Sequence, residues 1–300
     1  MNILITGSNG FIGSKLAAFV SKRKIKVYGI GRQNKNYNNN NKKYYIKNIV
    51  GNVSIQNLKK FKKKFSYVLH CAGNGLVTNN KKIDFQKNVV SIKNLLIYLA
   101  KYSPDTKIII TSSASVYGNN KKRFTEKTTV KPISIYGENK YLAEAQSFTY
   151  WKKYGLNILI LRLTSIYGED MYKQFIFDSC VKIDKNINEF YGSGNETRDW
   201  LHISDLNNLF YKIIKKSFYG FSVYNCGSGK KRKIKDVLKY IIKINKKKII
   251  PNFNGDGLKE NPKSNLVSIK KLKHFKWKPK KNFWQGLSDY IKWYSNNKKK

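Results

Sequence analysis

Tyr136 and Lys140 stand four residues apart in the stretch YGENK, and residues at that spacing share one face of a helix. A phenol ordinarily releases its proton near pH ~10, and an ammonium beside it favours the phenolate. Such a pair can exchange a proton with a hydroxyl or carbonyl oxygen. Spacing alone carries little weight in a chain with 21 tyrosines and 60 lysines and arginines, where YGENK by itself reads as the first turn of a surface helix. Two other stretches give it context. Ser113 closes the apolar run KIIITSS and offers a hydroxyl at the end of a strand. Gly7, Gly10 and Gly13 recur three apart in TGSNGFIG, between a short apolar strand and a helix that opens at about Ile12. A turn without Cβ atoms lets a pyrophosphate approach the backbone and meet the free N–H groups of the helix N-terminus. The bland alternative for the glycines is a plain strand-to-helix turn.

These groups need a scaffold that brings distant stretches together, and the hydrophobic pattern supplies one. NILITG, KVYGIG, SYVLHCAG, KIIITSS and LNILILRL are short apolar runs of strand character. Between them lie helical patterns at about 12–23, 84–102 and 136–154. The alternation predicts an α/β fold with a Rossmann-type doubly wound parallel sheet. From about Thr164 the alternation weakens, and VYNCGSG at 223–229 reads as one more strand returning to the sheet. The expected division is interleaved. Residues 1–164 and 201–228 form the dinucleotide-binding domain, and 165–200 and 229–300 form a smaller mixed C-terminal substrate-binding domain. NYNNNNKKYY at 36–45 reads as a mobile low-complexity loop.

Composition narrows the function classes. With 41% hydrophobic and 14% aromatic residues over 300 positions, the chain can bury a sizeable core. No apolar run approaches the roughly 18 residues of a membrane span. The stretch after Met1 has no basic leader or cleavage site, so a cytoplasmic protein is expected. Cys71, Cys180 and Cys226 are far apart and lack metal-ligand spacing, which reads as reduced thiols and no metal site. The net charge of +43 allows a nucleic-acid or anionic-membrane binder. Lysine is dispersed, however, and rises together with Asn, Ile, Tyr and Phe, as in an AT-rich coding sequence. Biased composition is the preferred reading, and nucleic acid is not the expected partner.

Several motifs in order carry a resemblance: TGSNGFIG, VLHCAGNG, DFQKNVVSIKNLL, TSSASVYG, YGENK, RLTSIYG, FYGSGNETRDWLHISDL and YNCGSG, with FKWKPKKNFWQGLSDYIKWY near the end. With them the chain resembles, almost end to end, an extended short-chain dehydrogenase/reductase of the NAD(P)-dependent epimerase/dehydratase superfamily, which acts on nucleotide sugars. The resemblance implies catalytic roles for Ser113, Tyr136 and Lys140. It implies cofactor contacts at Gly7, Gly10, Phe11, Ile12 and Gly13, at Cys71, Ala72 and Gly73, and at Asn88. Asn48 is placed near the adenine, in place of the family's usual acid. Arg198 matches an arginine that grips the substrate diphosphate. Ser165 stands where many relatives carry asparagine near that group, and Lys173 and Gln174 are expected to help hold the phosphates. The resemblance also makes a homodimer through two long helices an expectation.

Two positions bear on the reaction. NAD-preferring folds end the second strand in an acid that binds the ribose 2′-hydroxyl. Here Gly31 takes that place and Arg32 follows, which favours NADP, with tightly bound NAD as the alternative. Ser113 is followed by Ala114 and Ser115, with no carboxylate to eliminate water, so dehydration is set aside. The preferred expectation is a reductase of 4-keto nucleotide sugars, such as a dTDP-4-keto-6-deoxyhexose, for surface polysaccharide precursors. A nucleotide-sugar 4-epimerase is the alternative, and a nucleotide sensor or nucleic-acid binder is the non-enzymatic one.

Overall fold

The computed structural model describes residues 1–33, 43–75, 80–119, 122–255 and 262–298. Seven strands form one parallel sheet. They are β1 (Asn2–Thr6), β2 (Lys26–Gly31), β3 (Lys47–Val50), β4 (Tyr67–His70), β5 (Lys107–Ser113), β6 (Ile158–Leu163) and β10 (Phe221–Cys226), in the order β10-β6-β5-β4-β1-β2-β3. The central strands are buried on both faces, which is why they read as unbroken Ile/Leu runs and not as alternating patterns. The order reverses on either side of β1 and β4, and ligands of open α/β sheets settle at such a point, beyond the carboxyl ends of the strands.

Helices α1 (Phe11–Ser21), α2 (Ile55–Lys59), α3 (Lys81–Phe85), α4 (Ser91–Tyr102) and α5 (Ile135–Tyr154) connect these strands. Ser134 caps α5, accepting from the N–H of Gly137 at 3.1 Å, and Gly155 ends it in the left-handed conformation, φ 67°. The expected single helix at 84–102 is split. A π-helical turn at Gln86–Val90 separates α3 from α4 and buries Asn88. Two elements were not foreseen, β3 and α2; they follow the low-complexity stretch, whose residues 36–42 lie outside the described residues.

The second half builds two small sheets. Strands β7 (Ser165–Tyr167), β9 (Thr197–His202) and β11 (Lys231–Lys233) form one, and β8 (Glu189–Phe190) pairs with β12 (Asn252–Phe253) in the other. Around them lie α6 (Gln174–Asp184), α7 (Ile203–Lys216), α8 (Ile234–Ile244) and α9 (Phe283–Asn297). The expected return of 223–229 to the large sheet is found, since β10 pairs with β6 from Phe221 opposite Ile158 to Cys226 opposite Leu163. One hydrophobic core runs from Ile3, Ile5 and Leu16 through Phe210 and Trp200 to Leu287 and Tyr290, and so continues from the large sheet into the smaller half. Leu4, Val68, Leu96 and Ile160 belong to a second core on the opposite face. Among the described residues, no helix is long and apolar enough to cross a membrane, and the three cysteines are free.

Candidate active site

The glycine turn is built as its spacing implied. Gly7 has φ 68°, and a Cβ there would lie 2.7 Å from the carbonyl carbon of Cys71, so the turn lies hard against the end of β4. Gly13 packs on the Gly7 carbonyl with no room for a side chain. Gly10 begins α1 with no side-chain cap, leaving the first N–H groups of the helix free to meet an anion. Buried groups brace the turn from behind. Ser8 Oγ donates to Asn48 Oδ1 at 2.8 Å, and the Tyr45 hydroxyl donates to the Ser8 carbonyl at 2.9 Å.

A cavity of about 170 Å³ opens above this turn. Its wall combines the turn residues Gly7, Gly10, Phe11, Ile12 and Gly13 with Cys71, Gly73, Ser113, Tyr136 and Lys140. Lys173 and Gln174, at the start of α6, face it from the other side. The fold thus brings together residues more than 160 positions apart. A bare backbone cradle beside a helix N-terminus suits the pyrophosphate of a dinucleotide.

Within the cavity, Ser113 Oγ lies 3.1 Å from Ser115 Oγ and accepts from the Ser115 N–H at 3.1 Å. Lys140 is buried, donates to the Thr111 carbonyl at 3.0 Å and lies 5.9 Å from the centre of the Tyr136 ring. Burial pulls its ammonium down to about 8, against the opposing pull of Cys71 and Glu144. Burial pushes the Tyr136 phenol above its ordinary value, and the interaction with Ser113 offsets this only in part. The expected depression of the phenol by Lys140 is therefore absent from the protein alone. The ammonium is turned to a carbonyl and not to the phenol oxygen.

The π-turn has a local purpose. Asn88 accepts from the N–H of Asn74 at 3.1 Å and donates to the Asp84 carbonyl at 3.0 Å. A Cβ on Gly73 would fall 2.8 Å from Asn88 Oδ1 and 3.2 Å from Lys140 Nζ. The turn thus pins the loop after β4 against the lysine. Behind the lysine, Glu144 receives Arg162 at 2.6, 3.0 and 3.1 Å and Ser112 Oγ at 2.5 Å, all deep in the fold.

Other expected residues fall outside the wall. Asn48 lies within β3 opposite Gly29, its amide spent on Ser8 and Asn9, so it supports the turn and does not face a ligand. Ala72 supports the turn by donating its N–H to Thr6 Oγ1 at 3.2 Å. Ser165 begins β7 and is not on the wall. Its neighbours Thr164 and Ile166 are, because alternate residues of a strand point to opposite faces. Thr164 was missed; its hydroxyl is buried and has no hydrogen-bond partner among the described residues. Arg32 is exposed beside the turn, where Asn9 Nδ2 donates to its carbonyl at 3.1 Å. Arg198 lies on β9 with its Nη1 donating to the carbonyls of Thr197 at 2.9 Å and Pro262 at 2.8 Å.

The NAD dependent epimerase/dehydratase family model matches residues 3–227. An uncharacterised protein of Methanocaldococcus jannaschii is 32% identical, over 99% of this chain and 97% of its own length. A UDP-glucuronate 4-epimerase of Thermodesulfobacterium geofontis is 27% identical, over 98% of this chain and 96% of its own. Among solved structures, the dTDP-glucose 4,6-dehydratase of Bacillus anthracis in complex with NAD superposes with a TM-score of 0.88 at 27% identity, covering 100% of this chain and 98% of that one.

Proposed function

The chain belongs to the NAD dependent epimerase/dehydratase family, and from that membership we propose that it is a nucleotide-sugar 4-epimerase. One observation carries the reading. Ser113, Tyr136 and Lys140 share a cavity with the glycine turn, and no carboxylate lines that cavity among the described residues. Oxidation and reduction at a carbinol carbon need only the first set of groups. Elimination of water also needs an acid and a base beside the sugar, and Ala114 and Ser115 provide neither. The dehydratase among the relatives thus supports the fold and the dinucleotide, and the epimerase supports the reaction.

In this reading Gly7, Gly10 and Gly13 hold the cofactor pyrophosphate, with Phe11 and Ile12 at the helix N-terminus. A nicotinamide dinucleotide held there would supply a hydride acceptor and donor for C4 of the sugar. Tyr136 takes the 4-hydroxyl proton as the carbonyl forms and gives it back as the carbonyl is reduced, so no proton or hydride is consumed overall. Ser113 donates a hydrogen bond to the same oxygen. Lys140, one helical turn from Tyr136 and donating to the Thr111 carbonyl, keeps a cation on the same cavity wall. Residues 165–200 and 229–300 supply the substrate side, with Lys173, Gln174 and Arg198 toward the phosphates.

A second reading, reduction of a 4-keto nucleotide sugar by NADPH, is favoured by the end of β2. A Cβ on Gly31 would lie 2.9 Å from both the N and Oγ of Ser8, so no acid fits beneath the turn to accept from a ribose 2′-hydroxyl. Arg32 stands next to it and suits a 2′-phosphate. The deciding experiment incubates the purified protein with UDP-, dTDP-, GDP- and CDP-sugars, both 4-hydroxy and 4-keto. The products are followed together with the NADPH signal. Conversion of a sugar to its 4-epimer with no net change in NAD(P)H is expected. Stoichiometric NADPH oxidation with a 4-keto sugar, and no epimer formed, would replace this reading with the reductase.

A further inference from the structure

In a parallel sheet every helix-to-strand turn falls at one edge and every strand-to-helix turn at the other. The cavity occupies the second edge. At the first lie the turns that lead into β2, β4, β5, β6 and β10, at 22–26, 59–66, 101–107, 152–158 and 215–221. Backbone hydrogen bonds join them into one rim. Lys26 donates to Met1, Ser66 to Asn2, Lys107 to Ser66, Ile108 to Asn157 and Ile158 to Gly220, at 3.1, 2.9, 3.2, 2.8 and 2.8 Å. These five turns hold fifteen lysines and arginines and one acid, Asp105, where the whole chain holds 60 and 17. Among the described residues, none of the fifteen lies within ion-pair distance of a carboxylate. Helix C-termini favour cations, but each offers only about half a negative charge, and its influence ends within the last turn. Lys24, Lys26, Lys62, Lys63, Lys64 and Lys107 lie beyond it. Lysine that is dispersed along the sequence is thus gathered by the fold.

Exposed tyrosines stand among these cations. Tyr219 is 78% exposed in its turn, and Lys107 Nζ lies 4.0 Å from its ring centre. Tyr102 has Lys59 at 5.1 Å, and Tyr154 has Lys153 at 5.3 Å. Ile25, Phe61, Phe65, Leu156 and Phe218 of the same turns are buried. The rim therefore offers rings and ammonium groups, and no exposed aliphatic side chain to insert into a lipid layer. Six adjacent strands about 4.8 Å apart give it a length of about 24 Å, room for several nucleotides of an extended strand.

We propose that this rim binds single-stranded nucleic acid, with the phosphates against the lysines of the five turns and the bases on Tyr102, Tyr154 and Tyr219. A cationic track gives affinity for any strand, and ring faces set between the charges favour bases that are not paired. A duplex keeps its bases stacked inside and offers the tyrosines nothing. Dispersal of lysine along the sequence argues against a nucleic-acid partner, and packing removes that argument at this edge. Rim and cavity lie at opposite ends of the strands, so the inference is independent of the nucleotide-sugar reading.

The test measures binding of a labelled oligouridine of about 12 nucleotides, of duplex RNA of equal length, and of phosphatidylglycerol/phosphatidylcholine vesicles, between about 50 and 200 mM salt. Two triple variants of equal charge are compared. Lys62→Gln, Lys63→Gln and Lys64→Gln lie on the rim; Lys239→Gln, Lys243→Gln and Lys248→Gln are exposed on the smaller half. At about 0.1 M salt the rim variant should raise the oligouridine Kd roughly 10- to 100-fold and flatten its logarithmic salt slope by about 2. The control should stay within about threefold of wild type. Tyr219→Ala should raise the Kd about 5- to 100-fold and Tyr219→Phe hardly at all, with duplex binding unchanged by either. All these positions are exposed, and melting temperatures should hold. Equal losses in the rim and control variants would leave only the overall charge and overturn the rim. So would duplex bound as tightly as single strand, vesicles bound through the rim lysines without oligouridine, or no oligouridine bound by wild type. Displacement of the oligouridine by stoichiometric NADP would overturn it too, by placing the strand in the cavity.

Discussion

Arg162 on β6 of the large sheet is buried and Arg198 on the small sheet is half-buried, and the two places treat the same side chain differently. Arg162 meets Glu144 through three hydrogen bonds, lies 4.8 Å from the Tyr117 ring centre, and is held more firmly protonated than a free arginine. Arg198 has two carbonyls and no acid within ion-pair distance among the described residues, and burial weakens its hold on the proton. Lys140 lies between these extremes, buried against one carbonyl and one helical turn from Glu144. A buried cation that the fold already neutralises is part of the frame. One that the fold leaves to neutral acceptors is prepared for an anion supplied from outside.

The largest expected effect tests the chemistry without touching either arginine. Tyr136→Phe should lower turnover by about 10² to 10⁴-fold and leave NAD(P) binding close to wild type, because only the phenol oxygen is lost. Turnover above about a tenth of wild type, measured on the substrate found in the sugar panel, would take Tyr136 out of the reaction.

The next test breaks the settled arginine. Glu144→Gln leaves Arg162 buried without its carboxylate, and the expected loss is about 3–5 kcal/mol in urea unfolding. Replacing both partners, as Glu144→Leu with Arg162→Met, should recover much of that loss. If the single variant costs as little as an exposed ion pair, Arg162 is not held as the hydrogen bonds imply.

Arg198→Ala should act in the opposite manner. Removing a cation with no acid to strand, it should change stability little while raising substrate KM by roughly 10- to 150-fold, the worth of a charge-assisted contact of about 1.5–3 kcal/mol. A variant that keeps its KM but loses NAD(P) affinity would place Arg198 in the other site and erase the contrast with Arg162.

The smallest effect concerns Lys140. Its folded value of about 8 lies below the ordinary 10.5, so between those values the unfolded chain binds a proton that the folded chain lacks. The cost of burying the ammonium is therefore fully present below pH 8 and relaxes as pH rises toward 10.5. Lys140→Met removes the titration. From about pH 7.5 to about pH 9.5, wild type should gain roughly 1–2 kcal/mol on the variant in urea unfolding. A constant difference would mean that the lysine keeps its ordinary affinity for protons.

Much of this was legible before any coordinates. The apolar runs marked six of the seven large-sheet strands because a strand buried on both faces can hold little else. The glycines could be read because close backbone approach excludes every other residue, as the contact between Gly13 and the Gly7 carbonyl shows. β3 escaped notice because KNIV is half polar and sits at a sheet edge after a low-complexity stretch. A one-dimensional alignment does not show that the Asn48 amide is spent on Ser8 and Asn9.

By itself the sequence determined the parallel sheet and the glycine turn, since each depends on local residue types at local spacing, whereas the Ser113, Tyr136 and Lys140 set came from the resemblance. Which cations are neutralised depends on partners that are distant in the chain. Glu144 meets Arg162 18 residues on, and Arg232 faces Arg198 only through the β9–β11 register. Coulomb energy depends on separation and on the surrounding medium, and both are set only once strands and helices pack. In a chain this rich in lysine and arginine, tertiary structure alone distinguishes a cation that completes the frame from one that waits for a ligand.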